Sequence, residues 1–514
     1  MQERNRARFP ALAAALSFLF PGLGQVYAGK PVLAALLAAP ILALLLVGAI
    51  AWLTLADRLR NALFSSQFLT ALLVLDVALL LWRLFAILHA GLARPSVVEH
   101  QAPQPAVAAN SGGSGGAALA MGGPPIPYAT GDQTTSEARR RPWEMAIVVL
   151  LVIATLGMHL WTGSVITALD GTLGRVLTGG TPIVVGAETP QPLNQPDYHW
   201  DGTQRLTFLL LGIDSGPFRS EALTDTILVV SVDPIAHSAV MISIPRDTAF
   251  MPLPDRRIYA DGLYPQKINS LTTVASKNPK LWCPDLRPGA DCGVRTLERS
   301  VGLYLGLEIN YYAMINLVGF AKLIDSLGGL YLCLPGTLHD SSYGGPTWYP
   351  NVGITLKAGC QTMNGARALA YARIRKGTMT LPNGTVEQEN DFRRAARQQE
   401  VLLALRTQFA SANWIFALPS LLEAVGETVT TDFPRDQAGN LASLLPLIAG
   451  PEIKRLVLAL PDYVSLAPNP QLNYLLVPKR SALRTKMKAL FGADGPLQGW
   501  YLGSTSQYPP RSTS

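Results

Sequence analysis

Leu206-Thr-Phe-Leu-Leu-Leu-Gly-Ile-Asp214 is an unbroken apolar run that ends in an acid. Two more such runs follow it, Ile227-Leu-Val-Val-Ser-Val232 and Ala239-Val-Met-Ile-Ser-Ile244. A strand with one wet face alternates apolar and polar residues, so continuous runs of this length read as strands buried on both faces. Helical periodicity appears at about 295–306 and 318–327, with further strands expected at Tyr311 to Ile315 and Leu330 to Leu334. The alternation predicts an α/β domain over 200–492, a central mixed sheet flanked by helices. In such sheets ligands gather at the carboxyl ends of strands, where Asp214 and the Pro245-Arg246-Asp247 turn fall. Phe409 to Phe491, including Thr430-Thr-Asp432, reads as further helical pattern completing the domain, and 493–514 as a loose tail.

The chain of 514 residues is too long for one core. Of its residues 49% are hydrophobic and only 15% charged, with a mean hydropathy of +0.23. A soluble domain carries about a quarter charged residues, so segments embedded in a bilayer are expected, and a wholly soluble or largely disordered chain is excluded. Residues 31–56 and 68–93, together with an anchor helix over 143–168, are long and apolar enough to cross about 30 Å of hydrocarbon. The first is expected to bend at Pro40. The second carries Asp76 and Arg83 on roughly one face, read as an internal ion pair or as Arg83 reaching the interface beside Trp82, in preference to a proton or ion relay. Within 1–94, the apolar segment at 9–28 is cut short by Pro21-Gly22-Leu23-Gly24, so it either spans fully or lies re-entrant. The positive-inside rule prefers the re-entrant arrangement. Residues 95–142, rich in Pro, Ala, Gly and Ser, read as a disordered cytoplasmic linker, and no secretory cleavage site is convincing.

The net charge of +7 divides unevenly. Residues 1–142 hold 11 Lys+Arg against 6 Asp+Glu, the remainder 31 against 29. Basicity therefore reports membrane topology, with Arg139, Arg140 and Arg141 placed immediately before the anchor helix, and no nucleic-acid partner is expected. All four cysteines, Cys283, Cys292, Cys333 and Cys360, follow that helix. Their even number on one side suggests an oxidising compartment and two disulfides, Cys283 with Cys292 and Cys333 with Cys360. Zinc is the competing reading, weakened by the lack of a C-x-x-C pair, with only His339 nearby.

Three clusters look chemical. Gly212-Ile213-Asp214, Arg219 and Thr224-Asp225-Thr226 set two carboxylates around a short loop. Ser243-Ile244-Pro245-Arg246-Asp247 ends a strand with a cation beside an anion. Leu369-Ala-Tyr-Ala-Arg373-Ile-Arg375 precedes Asp391-Phe-Arg393-Arg394-Ala-Ala-Arg397-Gln398-Gln399, where Asp391, Arg394 and Gln398 share a helix face. Taken singly each cluster reads as solvated charges or a helix cap. Together, clustered arginines with paired aspartates suit a polyphosphate held with a divalent metal: the guanidinium fork grips phosphate oxygens, while Mg²⁺ takes one or two carboxylates and completes its shell with phosphate and water. No G-x-x-x-x-G-K-[ST] loop, G-x-S-x-G elbow or H-E-x-x-H motif is found, the Gly112-Gly-Ser-Gly-Gly116 run being part of the Gly/Ser-rich linker.

These motifs, with Lys267-Ile-Asn269 and Leu323-Ile-Asp-Ser-Leu-Gly-Gly-Leu330 between them, resemble in content and order the LytR-CpsA-Psr family of bacterial cell-envelope phosphotransferases, from about Thr207 to Arg406. The resemblance implies an extracytoplasmic, membrane-anchored enzyme that moves a glycopolymer from a polyprenyl-pyrophosphate carrier onto peptidoglycan through a phosphodiester, using Mg²⁺ (or Mn²⁺) and no ATP. It assigns Asp214 and Asp225 to the metal. Arg219, Arg246, Arg373, Arg375, Arg394 and Gln398 go to the pyrophosphate, and Asp247 and Asp391 to orientation or proton transfer beside Asp225 and Arg246. The Cys333 and Cys360 pair also resembles actinobacterial-type members, whereas the multi-span N-terminal part departs from the family's usual single anchor. Polyprenyl-pyrophosphate hydrolysis and a non-enzymatic envelope regulator are the alternatives.

Overall fold

A computed structural model describes residues 9–492 except 63, 93–141, 178–199, 201–203, 215–222, 285–290, 345–352, 411–423, 427, 438–452 and 473. The expected linker at 95–142, apart from Pro142, and the tail at 493–514 lie outside the described residues. The chain divides into two compact units, one from Met1–Ile50 and Val74–Thr162, the other from Ala51–Leu73 and Gly163–Ser514.

The helices of the N-terminal part are α1 (Pro10–Leu19), α2 (Leu23–Tyr27), α3 (Pro31–Ala62), α4 (Ser66–Leu92) and α5 (Pro142–Val176). Among the described residues, three segments are long and apolar enough to span a bilayer: Pro31–Leu55, Ser66–Leu92 and Pro142–Val176. Helix α1 has ten residues and falls short. Backbone torsions in α3 leave the helical range at Leu55 rather than at Pro40. In the first unit, the Pro21-Gly22-Leu23-Gly24 turn folds α2 tightly onto α1. Gly22 adopts φ +107°, and a Cβ on Gly24 would lie 1.9 Å from the Ala13 carbonyl oxygen. Buried Gln25 accepts from Ser17 Oγ (3.0 Å) and donates to the Ala86 carbonyl (2.9 Å), tying this hairpin to α4. Asp76 does not pair with Arg83. It meets His159 Nδ1 of α5 at 2.8 Å, because seven residues of helix separate the first two by about 10 Å, while α5 brings an imidazole alongside.

The second unit is built on a six-stranded mixed sheet. Its strands are β1 (Leu206–Asp214), β2 (Leu223–Asp233), β3 (Ser238–Ser243), β6 (Tyr311–Asn316), β13 (Val429–Thr431) and β14 (Ile453–Val457), in the order β13-β6-β1-β2-β3-β14. β1, β2 and β3 form an antiparallel meander, whereas β6 runs parallel to β1 and β14 parallel to β3. β4 (Met251–Pro252) and β5 (Leu263–Tyr264) make a small ribbon beside it. Leu209, Leu211, Val229 and Ile242 point to one face, packing with α6 (Leu271–Lys277), α7 (Pro279–Trp282) and α8 (Cys292–Leu305). The opposite face is covered by α9 (Leu317–Ser326), α10 (Gly365–Arg373) and α11 (Asp391–Ala410). The unbroken apolar runs are thus explained: the sheet is the middle of three layers.

Two expectations are corrected. Leu330–Leu334 is strand β7, but it pairs with β10 (Gly359–Met363) outside the central sheet. Residues 409–491 are not mainly helical among those described. They add the two edge strands β13 and β14, a hairpin of β15 (Val464–Leu466) and β16 (Leu476–Pro478), and α12 (Arg480–Phe491). A third sheet joins β8 (Thr337–Asp340), β9 (Ile354–Leu356), β11 (Thr378–Thr380) and β12 (Val386–Gln388). Disulfides Cys283–Cys292 and Cys333–Cys360 are both formed, and no described cysteine is free. His339 instead meets Thr355 Oγ1 at 2.8 Å, away from any metal role.

Candidate active site

Because β2 runs antiparallel to its neighbours, the carboxyl ends of β1 and β3 and the amino end of β2 meet at one edge. A register shift between Gly212 and Ile213 marks a bulge just before Asp214. The last ladder bond, Ile244 N–H to the Ile227 carbonyl at 2.9 Å, ends where Pro245 can no longer donate, and the chain turns to present Arg246 and Asp247. Arginines arrive from the other layer. Ile374 leaves helical torsions (φ −56°, ψ 132°) immediately after Arg373 ends α10, and Asp391 opens α11.

Of these groups, all but Asp391 line one cavity of about 990 Å³. Arg246 is its hub, with Nη1 at 2.8 Å from Asp225 Oδ1 and Nε at 3.2 Å from Asp391 Oδ2. Arg394 lies 3.4 Å from Asp391 Oδ1 and donates to the Asp225 carbonyl at 3.1 Å. Arg373 pairs with Asp214 at 3.3 Å. Gln398 donates to the Ala372 carbonyl at 3.2 Å, and Asp247 meets Lys267 Nζ at 2.6 Å. Arg375 is exposed at the cavity's edge, with no hydrogen bond or ion pair among the described residues. Arg219 lies outside the described residues. The structure therefore brings together Asp214, Asp225, Arg246, Asp247, Arg373, Arg375, Arg394 and Gln398 around one volume, with Asp391 bonded to two of them.

Burial works most strongly against ionising Asp391, yet Arg394 and Arg246 outweigh it and hold the carboxyl below the usual carboxylate range. Burial likewise lowers Arg394; Asp391 opposes that and the neighbouring Arg246 cation adds to it. Two guanidinium nitrogens, Arg373 Nη1 and Arg394 Nε, are buried without a hydrogen-bond partner. Such orphaned charged donors are costly, and an anion in the cavity is the group that fits them.

A second cavity of about 220 Å³ opens beside the first, lined by apolar groups of β1, β6, α9 and α11 such as Leu210, Met314, Phe320 and Leu402. Thr226, Leu317, Arg373 and Gln398 line both. Sequence reasoning gave three further residues no role. Arg397 is buried and donates from Nε to the Tyr371 carbonyl (2.8 Å) and from Nη2 to that of Ile374, fixing the turn that carries Arg373 and Arg375. Gln399 locks α11 to the sheet through Ser243 Oγ (2.9 Å) and the Leu456 carbonyl (3.0 Å). Lys267 stood only as one letter of a short motif, with no signal of its contact to Asp247.

Residues 186–484 match the LytR_cpsA_psr family. The polyisoprenyl-teichoic acid–peptidoglycan teichoic acid transferase TagU of Halalkalibacterium halodurans is 30% identical over 237 residues, 46% of this chain and 64% of that protein. Regulatory protein MsrR of Staphylococcus aureus (strain Mu50) is 30% identical over 234 residues, 45% of this chain and 57% of that protein. The chain thus spans less than two thirds of the length of either relative. The crystal structure of B. subtilis TagV aligns with 56% of this chain and 96% of its own at 24% identity, with a TM-score of 0.40. The family match takes in more than half of the sequence, and the chain belongs to the LytR_cpsA_psr family.

Proposed function

We propose that this chain is a membrane-anchored phosphotransferase that moves a glycopolymer from a polyprenyl-pyrophosphate carrier onto peptidoglycan. The observation that carries the reading is the meeting of the two cavities. A charged volume with unpaired buried guanidinium nitrogens shares a wall with an apolar pocket. An amphiphile with a diphosphate head and a hydrocarbon tail matches that pair of environments. The transferase named among the relatives supports the same chemistry. Three candidate spans and two disulfides in the second unit support a multi-pass protein with its catalytic domain outside the cytoplasm.

In the proposed reaction an acceptor hydroxyl attacks the sugar-linked phosphorus, a new P–O bond forms, and the bond to the bridging oxygen breaks to release polyprenyl phosphate. Arg246, Arg373 and Arg394 neutralise the anionic oxygens that would repel the attack, and Arg375 at the rim guides the diphosphate in. Gln398, at the wall between the cavities, bears on the lipid-side phosphate. The donor's own pyrophosphate bond drives transfer, so ATP is not required. Asp391, committed to two arginines and held acidic, orients them rather than taking a proton. Asp247 remains as the carboxylate to receive the hydroxyl proton.

Asp214 and Asp225 line the same cavity, each balanced by an arginine. No group of three metal-ligating side chains occurs among the described residues. Two carboxylates completed by phosphate oxygens and water are a donor set that Mg²⁺ or Mn²⁺ accepts, so these acids would hold the ion once substrate is present. Bound there, it would add positive charge at the phosphate oxygens.

The test uses the full chain in detergent or nanodiscs with lipid-linked glycan, peptidoglycan and Mg²⁺. Glycan covalently retained on the wall, and lost with a chelator, is the expected result. Phosphate release without retention would overturn transfer in favour of hydrolysis, and binding without turnover would favour the regulatory reading.

A further inference from the structure

We infer that Asp76 of α4 and His159 of α5 form a proton-binding site inside the first unit, the proton being taken up at His159 Nε2. The inference rests on α4 and α5 being spans, as proposed above, and not on the transfer reaction. Asp76 stands about 15 Å along α4 from its start at Ser66, and His159 about 26 Å along α5 from Pro142, at 1.5 Å per residue. Both therefore fall well inside segments long and apolar enough to cross a bilayer. Their side chains are only 14% and 8% exposed, and His159 Nδ1 meets Asp76 Oδ1 at 2.8 Å. Ionisable groups at such depth are costly, and they persist where they handle a proton, an ion or a substrate. A pair with structural duty alone can be made of a neutral amide and a hydroxyl, as Gln25 and Ser17 show in the same unit.

The atoms define where the proton goes. An ionised carboxylate only accepts, so Nδ1 carries a hydrogen and donates it to Asp76. That leaves the Nε2 lone pair as the free base, and Nε2 is buried without a hydrogen-bond partner among the described residues. The hydroxyls one turn away on either side have their hydrogens committed: Thr155 Oγ1 donates to the Leu151 carbonyl at 2.8 Å and Thr162 Oγ1 to the Met158 carbonyl at 3.0 Å. Charge balance permits both states. Arg83 Nη1 approaches α5 at Met158 Sδ (4.0 Å), next in sequence to His159, and makes no ion pair among the described residues. With His159 neutral, Arg83 offsets Asp76. With Nε2 protonated, imidazolium and carboxylate form an ion pair through a charge-assisted hydrogen bond. The other ionisable groups on these elements are remote. Helix α3 has none from Pro31 to Leu55, and the α1–α2 hairpin has only Tyr27. His89 of α4 and Glu144 of α5 stand about 20 Å from the pair along their helices, and Asp170 of α5 is taken by Arg435.

The test follows the imidazole nitrogens by ¹⁵N NMR in the full chain in nanodiscs, with His159 kept as its one histidine and the others replaced by glutamine. Between about pH 5 and 9, the range in which histidine serves as a switch, the signal is expected to pass from imidazolium to the neutral tautomer with hydrogen on Nδ1. In Asp76→Asn the charged form is expected to be lost across that range, and in Asp76→Glu to be kept. A single protonation state throughout in the parent, a neutral form with hydrogen on Nε2, or an unchanged titration in Asp76→Asn overturns the inference. Where Asp76→Asn does not fold, the tautomer and titration of the parent decide it. The span is tested apart, by a cysteine at Val77, 49% exposed on α4, probed with a water-soluble maleimide; all four native cysteines are held in disulfides. Labelling in the intact disc counts against α4 as a span while the titration still decides the pair, and protection upholds the span.

Discussion

Arg246 shows how much a single side chain organises here. Its guanidinium is only 12% exposed and holds Asp225 of β2 through one nitrogen and Asp391 of α11 through another. Burial weakens its charge most, but the surrounding carboxylates, Asp225 first, raise its pKa above the ordinary arginine value. A lysine could supply the charge but not two directed bonds. Arg246→Ala and Asp225→Ala are each expected to lower transfer by about 10²–10³-fold, the scale of losing one preorganised charge-stabilising group. The retention assay measures this, with far-UV circular dichroism and the unfolding midpoint unchanged. Near-normal turnover in either variant would remove that residue from the site. The choice among the clustered arginines rested on the family resemblance, although the clusters themselves were legible from residue types and spacing. What each would touch was not, because Arg246 and Asp391 are partners across 145 positions of sequence.

At the scale of elements, the buried polar joint between α8, β6 and the end of β13 is a second structural decision. Arg295 and Glu298 of α8 pair at 2.8 Å, and Arg295 reaches Asp432 at 2.7 Å, all nearly sealed from solvent. Asp432 also accepts from Tyr312 N–H at 2.8 Å, fastening β6. One cation faces two acids, so burial and then the neighbouring carboxylate push Glu298 up to about 8 against the pull of Arg295. An acid with a folded pKa above its unfolded value of about 4.3 binds more protons when folded. Its stabilising contribution is therefore complete below that unfolded value and is lost as pH rises toward 8. The unfolding midpoint is expected to fall across pH 5–8 in wild type and to flatten in Glu298→Gln; equal slopes would exclude Glu298 as the cause. The sequence revealed β1 end to end because nine consecutive residues carry one message. It concealed β14, whose Ile453-Lys-Arg-Leu-Val457 mixes charge with apolar groups because an edge strand has a wet side. It also left Leu330–Leu334 looking like part of the central sheet, since periodicity identifies a strand without naming its partner.

For the molecule as a whole, the second unit includes the α3–α4 turn and the end of α5, and Arg435 is their clasp. It donates to the Phe64 carbonyl at 2.7 Å and pairs with Asp170, which in turn accepts from Ser66 Oγ at 3.3 Å. Phe64 and Leu177 pack on the Trp200, Tyr311 and Phe433 cluster at the end of β1 away from Asp214. This joint fastens the α3–α4 turn and the end of α5 to the sheet within the second unit. Arg435→Ala is expected to raise amide hydrogen exchange roughly ten-fold at 64–66 and 170–177, as befits one lost charge-assisted bond, while exchange in β1 to β3 stays unchanged; a protection pattern identical to wild type would discount the clasp. Two ion pairs and a hydrogen bond of the site bear on how the chain folds. Asp214 with Arg373, Arg246 with Asp391 and the Asp225 carbonyl with Arg394 close loops of 159, 145 and 169 residues. Contacts so distant in sequence form late, after chain entropy has been lost elsewhere. A meander of β1 to β3 can collapse early from local contacts, but it holds only the acids and one arginine. The site thus comes into being only when α11 docks, and no earlier intermediate of the fold carries it.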